Sequence, residues 1–432
     1  MVLGIVGMQG FNLADTYFVG RLGTPELAAI SFTFPVVFVI AGLALGLGMG
    51  TSAVVSRAIG EGDRGKTARL ATDGLALALL VVAVLVVCGL FTIEPLFTAL
   101  GAEGEVLSLV QRYMSIWYIG MIFVVVPMVG NNAIRATGDT LTPSLIMLVA
   151  VAMNFILDPL LIFGIGPFPR LEIAGAALAT VCSRAVTFTV ALWVLSRRER
   201  MITLRFPGLR AVWESWRRIL FIGVPVSLSN ILIPVGIGVI TRLVSAYGPA
   251  AVAAFGVATR VETLSLTVIM ALRSVMPPFV GQNWGAFRFE RLRRGVRLAN
   301  RFAFLWGIGA AAALAFLARP IAEAFNEDPV VIERIVLYLW IVPASYGFRG
   351  ILLLSSTSLS VLDRPVDGAA TSLLQVFGLY VPLALAGSHL IGLSGIFWAG
   401  SVSNVVAGVV AAVWLGRIVA QRTRESGWEA HP

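Results

Sequence analysis

The segment 154–163 reads NFILDPLLIF. Asn154 and Asp158 stand four residues apart in an otherwise apolar run, a spacing that stacks both side chains on one helix face. Pro159 follows, and because proline has no N–H the carbonyl of Phe155, one turn back, loses its helical partner. A carboxylate, an amide oxygen and a freed carbonyl thus gather within one turn, an oxygen environment that suits a cation or a shuttled proton. The competing reading is interhelical hydrogen bonding, with Asp158 carrying a proton in a dry core.

Other polar residues share this setting. Asp15, in FNLADTYFVG, is a second acid in an apolar run, beside Asn12 and Thr16; near the outer end of a helix it would cap or snorkel instead. Thr180, in AGAALATVCSR, offers a hydroxyl or bonds back to its own helix. Glu262 and Arg260, in TRVETL, are two residues apart and so do not face each other along a helix. Glu262 either meets a cationic ligand or pairs with a neighbouring helix. Arg242 and Arg273, nearer to span ends, are expected to snorkel.

The elements that must position these residues follow from composition. Of 432 residues, 58% are hydrophobic and 13% charged, against roughly 45–50% and 25% in soluble domains. The chain is therefore read as an all-α integral membrane protein: LALALLVVAVLVVCGLF at 75–91 shows no barrel-strand alternation. Twelve spans are predicted near 1–20, 27–55, 70–91, 107–131, 143–164, 173–195, 219–244, 250–279, 298–318, 333–357, 367–388 and 394–416. The first runs straight into DTYFVG without a small-residue cleavage site, so no cleavable signal peptide is expected.

The formal charge of +9 is almost all arginine, Lys66 being the one lysine, and its placement carries the information. Arg57, Arg64, Lys66 and Arg69 follow span two, seven arginines between 197 and 218 follow span six, and Arg288, Arg291, Arg293 and Arg294 follow span eight. Glu94, Glu103, Glu105, Glu323, Glu327 and Asp328 occupy the alternate loops. The positive-inside rule puts the basic loops and both termini of this multi-pass chain in the cytoplasm. No nucleic-acid partner is implied. Cys88 and Cys182 are expected as small packing residues, and GLALGLGMG at 42–50 as close helix packing. There is no P-loop, and His389 and His431 cannot assemble a triad or metal cluster, so neither an enzyme nor a cofactor is expected.

The halves repeat. A shift of 225 lays Val19, Gly23, Ala28, Ala29 and Gly60 over Val244, Gly248, Ala253, Ala254 and Gly285, and a shift of 220 lays Gly175 and Ser183 over Gly395 and Ser403. Six spans per half is an even number, so the repeats enter the membrane from the same side. This predicts two six-helix lobes related by a pseudo-two-fold axis along the membrane normal, a transporter architecture with the substrate path between them. The lobes are 1–196 and 219–416, with a basic connector at 197–218 and a tail at 417–432. At the repeat-equivalent positions Asp15 becomes Ile240, Asn154 becomes Gly378 and Asp158 becomes Pro382, which confines the acid chemistry to the first lobe.

DTYFVGRLGTPELAAIS, IRATGDTLTPS followed by NFILDPLLIFG, GAALATVCSR and PFVGQNWGA together resemble the multidrug and toxic compound extrusion (MATE) family, nearly end to end, and most of all its DinF-like prokaryotic branch. The resemblance implies a secondary antiporter that exports amphipathic, often cationic, organic compounds in exchange for H⁺ or Na⁺. It implies a cation site at Asp15, Asn154, Asp158 and Thr180, and a first-lobe cavity lined by Tyr113, Asn131 and Met147. A monomer in the bilayer, with small-molecule substrates, is expected. Two features depart from the family pattern. The chain begins at MVLGIVGMQG, just past the point where relatives have a cytoplasmic lead and an early span-one proline, and Arg273 replaces a small residue. A lipid-linked precursor flippase of the same superfamily is the alternative; it would favour a strongly cationic, lipid-facing groove.

Overall fold

The computed structural model describes residues 2–425, and within them the side chains other than those at 3, 5, 6, 8, 9, 12–14 and 423–425. His431 and the side chain of Asn12 lie outside the described residues. Twelve helical segments follow one another. They are α1 (Val2–Gly20), α2 (Thr24–Gly60), α3 (Arg64–Ala99), α4 (Gly104–Gly120 and Ile122–Ala136), α5 (Leu141–Phe163) and α6 (Glu172–Arg198). Then come α7 (Leu209–Ser245), α8 (Pro249–Gly285), α9 (Phe289–Phe325), α10 (Pro329–Val361), α11 (Pro365–Ile391) and α12 (Leu393–Glu425). Ten helices are long and apolar enough to cross a membrane, and the halves of α4, bent by 41° at Met121, make an eleventh. The remaining segment, α1, is diluted by Gln9, Asn12, Asp15 and Thr16.

The duplication is visible in the helix boundaries. α2 starts at 24 and ends at 60, α8 starts at 249 and ends at 285, an offset of 225 at both ends. α3 and α9 start at 64 and 289, the same offset, whereas α6 and α12 start at 172 and 393, 221 apart. The register drifts in the connections, where insertions disturb no packing. The chain divides into two compact units, 1–227 and 228–432, with the boundary inside α7.

In the first unit α5 packs along α6, α1 along α5, and α2 along the second half of α4. In the second unit α11 packs along α12 and α10 along α8 and α12. Small residues permit the closest approaches. A Cβ on Gly46 would strike the Gly223 carbonyl and one on Gly50 the Ile219 carbonyl, so the glycine-rich run is a packing seam as expected. The cysteines are corrected: Cys88 and Cys182 are both exposed, facing away from the packed interior. A bilayer helix is apolar on its outer face too, so composition could not tell the two faces apart.

The connector docks on the first unit. The Thr203 amide donates to Thr72 Oγ1 (3.0 Å) and Trp216 Nε1 to the Asp73 carbonyl (2.9 Å). Asp139, in the turn before α5, accepts from the Leu141 and Thr142 amides at 3.0 Å each and from Arg198 Nη2 at 3.1 Å. Burial pushes the Asp139 carboxyl up, but the Thr142 and Leu141 hydrogen bonds and the Arg198 guanidinium outweigh it and hold the group below the usual carboxylate range. This clamp fixes the start of the helix that carries Asn154 and Asp158.

Candidate functional site

Three helices bring the first-unit polar residues to one level. Positions for a Cβ on Gly4 and Gly7 contact Ser144, Met147, Leu148 and Val151, and further along the Phe18 ring meets Phe155 (5.7 Å) and Phe163 (6.5 Å). α1 and α5 therefore run parallel, with Asp15 level with Asp158. α6 runs antiparallel to α5: a Cβ on Gly175 would strike the Leu161 carbonyl. Five residues on from Gly175, Thr180 reaches the level midway between Asn154 and Asp158.

Asn154 and Asp158 are fully buried, and Asn154 Nδ2 donates to Asp158 Oδ1 at 3.0 Å. Asp15 and Asp158 interact electrostatically with each other and with the buried hydroxyl of Tyr113. Asp15 Oδ1, Asn154 Oδ1 and Asp158 Oδ2 are buried acceptors with no donor among the described residues. Thr180 is buried and makes no back-bond to its helix. Asp15 is five residues short of the Gly20 end of α1, and its buried, unpartnered oxygen is neither a cap nor a snorkelling group.

Unsatisfied buried oxygens are rare and costly. Three on one level, from two carboxylates and an amide, form a hard-oxygen donor set that fits a monovalent cation or protons. Asp15, Asn154, Asp158 and Thr180 are the residues that would hold it. The sequence reading missed Arg184 on α6, whose guanidinium lies 5.0 Å from the Phe11 ring centroid on α1, one turn from Asp15. Its signal was visible in the sequence, an arginine four residues after Thr180. Of the cavity candidates, only Tyr113 joins the acids. Met147 sits about three turns from Asp158 along α5, and Asn131, on the second half of α4, keeps its own Oδ1 buried and unpartnered.

Glu262 belongs to the second unit. Arg349 Nη1 on α10 lies 3.0 Å from its Oε1, and the Tyr338 hydroxyl donates to its Oε2 at 2.6 Å. Pairing with a neighbouring helix is thus the geometry observed. The rest of that unit's buried polarity is largely satisfied: Gln375 donates to Asn404 and Ser403, and Asn404 to Ser345.

A packing prediction arises here. Gly175→Ala should cost about 1–3 kcal/mol by forcing α6 off α5, read as a lowered thermal midpoint of purified protein. Gly309→Ala, whose added Cβ meets nothing within 4 Å, should leave it unchanged. Equal midpoints for the two variants would show that the α5–α6 contact does not set the site.

The MatE family profile matches residues 1–160 and again 225–386, one match in each half. The chain is 39% identical over 417 residues to the FAD transporter of Shewanella oneidensis, covering 96% of this chain and 92% of that protein. It is 24% identical to the multidrug export protein MepA of Staphylococcus aureus, covering 95% and 90%. Among solved structures, the Vibrio cholerae MATE transporter VcmN in the bent form superposes with a TM-score of 0.93 at 30% identity, covering 98% of this chain and 95% of that one. A double match to the profile, relatives that align end to end and a duplicated fold of twelve helical segments lead to one conclusion: the chain belongs to the MatE family of multi-pass membrane transporters.

Proposed function

We propose that this transporter is a cation-coupled antiporter that exports amphipathic organic compounds by alternating access, with H⁺ or Na⁺ entering through Asp15, Asn154, Asp158 and Thr180. The observation that carries the reading is the trio of buried acceptors, Asp15 Oδ1, Asn154 Oδ1 and Asp158 Oδ2, that no donor among the described residues satisfies. Two carboxylates within electrostatic reach repel each other, and a cation between them relieves the repulsion. Coupling then requires that the occupied site favour one conformational state, since equal affinity for both would shift nothing. Tyr113 would orient the pair, and the Asp139 clamp would hold α5 in register.

The arginine distribution supports placing both termini on the cytoplasmic side. Purified protein in liposomes, loaded with ethidium and given an inward proton or sodium gradient separately, tests the reading. Efflux that follows one gradient and not the other is expected, and it names the ion. Folded protein that shows no flux under either gradient would overturn the proposal. The names of the relatives, an FAD transporter at 39% identity and multidrug export proteins at 24%, make FAD the second substrate to assay.

A further inference from the structure

Arg273 reaches across to a neighbouring helix. It is twelve residues from the Gly285 end of α8, and its Nε donates to Thr357 Oγ1 on α10 at 2.9 Å. Its two Nη groups have no partner among the described residues, and the residue is only partly buried. Thr357 is buried, accepts from Arg273 and makes no back-bond of the kind that Ser358 and Ser360 make, so its own proton is uncommitted. The pair is a set of donors with no acceptor.

No carboxylate among the described residues lies within ion-pair distance of the Arg273 guanidinium. Among the described residues of the second unit Glu262 is the one acid deep in a span, and both of its oxygens are committed to Arg349 and Tyr338. The other acids stand within two turns of helix ends or in connections, and none of the described ones forms an ion pair with Arg273. A guanidinium partly buried between helices is ordinarily paired. Its planar fork matches the oxygens of phosphate and carboxylate, in both cases bidentately.

We propose that Arg273 and Thr357 form an oxyanion site that takes the phosphate of an organic substrate. The substrate role rests on the exporter reading above; the binding site does not. Ligand chemistry is the same for a phospholipid headgroup, and the test separates the two sources. FAD, FMN and riboflavin share the isoalloxazine ring; FMN differs from riboflavin by the phosphate alone and FAD adds AMP, so the three together isolate the phosphate contribution. Their fluorescence would be titrated with wild type, Arg273→Gln, Arg273→Lys and Thr357→Val protein in phosphatidylcholine nanodiscs.

Arg273→Gln is expected to weaken FAD binding about 10- to 100-fold, the loss of a charge-assisted hydrogen-bonded pair. Riboflavin, which offers no phosphate, should lose much less affinity. Arg273→Lys should recover part of the FAD affinity and Thr357→Val should lose part, which keeps the test decisive if the glutamine variant folds poorly. If phosphatidylglycerol raises the thermal midpoint of wild type but not of Arg273→Gln, while FAD affinity is equal in both, the site stands with lipid as its source. If FAD and phosphatidylglycerol both fail to distinguish wild type from all three variants, the proposal is overturned. FAD binding that depends on Arg273 in a protein with no gradient-driven flux would sink the exporter reading and leave the oxyanion site intact.

Discussion

Asp158→Asn should reduce gradient-driven ethidium efflux about 100-fold or more, to the leak of protein-free liposomes, because a state the ion can no longer favour stays at ~1% population. The substitution is nearly isosteric. Asn154 Nδ2 keeps a carbonyl oxygen to donate to in place of Asp158 Oδ1, now 3.0 Å away, so the helix contact survives. What disappears is one of the two charges on the level shared with Asp15. The competing view, that Asn154 and Asp158 hold helices together, makes the opposite prediction. In that case the variant should unfold at a lower temperature while its flux still follows the gradient. Thermal midpoints and flux measured on one preparation therefore decide between them, and normal coupled efflux by Asp158→Asn would remove Asp158 from the site. Asp15→Asn should show a similar loss, since the same reading needs both carboxylates.

What the sequence could reveal about this site depended on distance along the chain. The Asn154–Asp158 hydrogen bond follows from i, i+4 spacing, which any helix enforces whatever surrounds it. The twelve segments and the duplication were legible for a similar reason: span length is set by bilayer thickness, and repeats preserve helix starts. That Asp15 comes level with Asp158 was not legible from spacing, because it depends on Gly4 and Gly7 letting α1 lie parallel against α5. The family resemblance supplied that grouping where periodicity could not. The hydrogen bond from Arg273 was not legible either, because its position along α8 says nothing of Thr357, 84 positions away on α10. The orientation of Cys88 and Cys182 was equally hidden, since lipid rewards apolar residues as a packed interface does.

The two units thus use charge in opposite ways. The first keeps two acids whose outer oxygens have no donor, next to a tyrosine hydroxyl and one turn from Arg184. The second holds its one deep acid in a closed pair and leaves arginine donors open. A cation site needs acceptors that the fold does not satisfy, and an oxyanion site needs donors that it does not satisfy. Loss of Asp158 should therefore stop coupling, and loss of Arg273 should alter what is recognised.

The Glu262–Arg349 pair, by contrast, is expected to act on stability. Glu262 is 9% exposed and Arg349 31%, their atoms lie 3.0 Å apart, and the second carboxylate oxygen takes the Tyr338 hydroxyl at 2.6 Å. Arg349→Met would leave a buried carboxylate with only that hydroxyl, at a cost of about 3–5 kcal/mol, toward the lower end because the guanidinium is partly exposed. Glu262→Gln alone strands the guanidinium but keeps a hydrogen-bonding group for Tyr338, and should cost less. Combining the two removes both charges, and the double variant should be more stable than Arg349→Met alone, with a coupling energy of about 1–3 kcal/mol. Tyr338 anchors the region further, its ring 5.0 Å from Phe397 and 6.0 Å from Phe255, so the damage should spread to α12 and α8. Chemical unfolding of the four proteins in one detergent gives the cycle. Strictly additive costs would mean that the two charges do not stabilise each other and that Tyr338 alone satisfies Glu262.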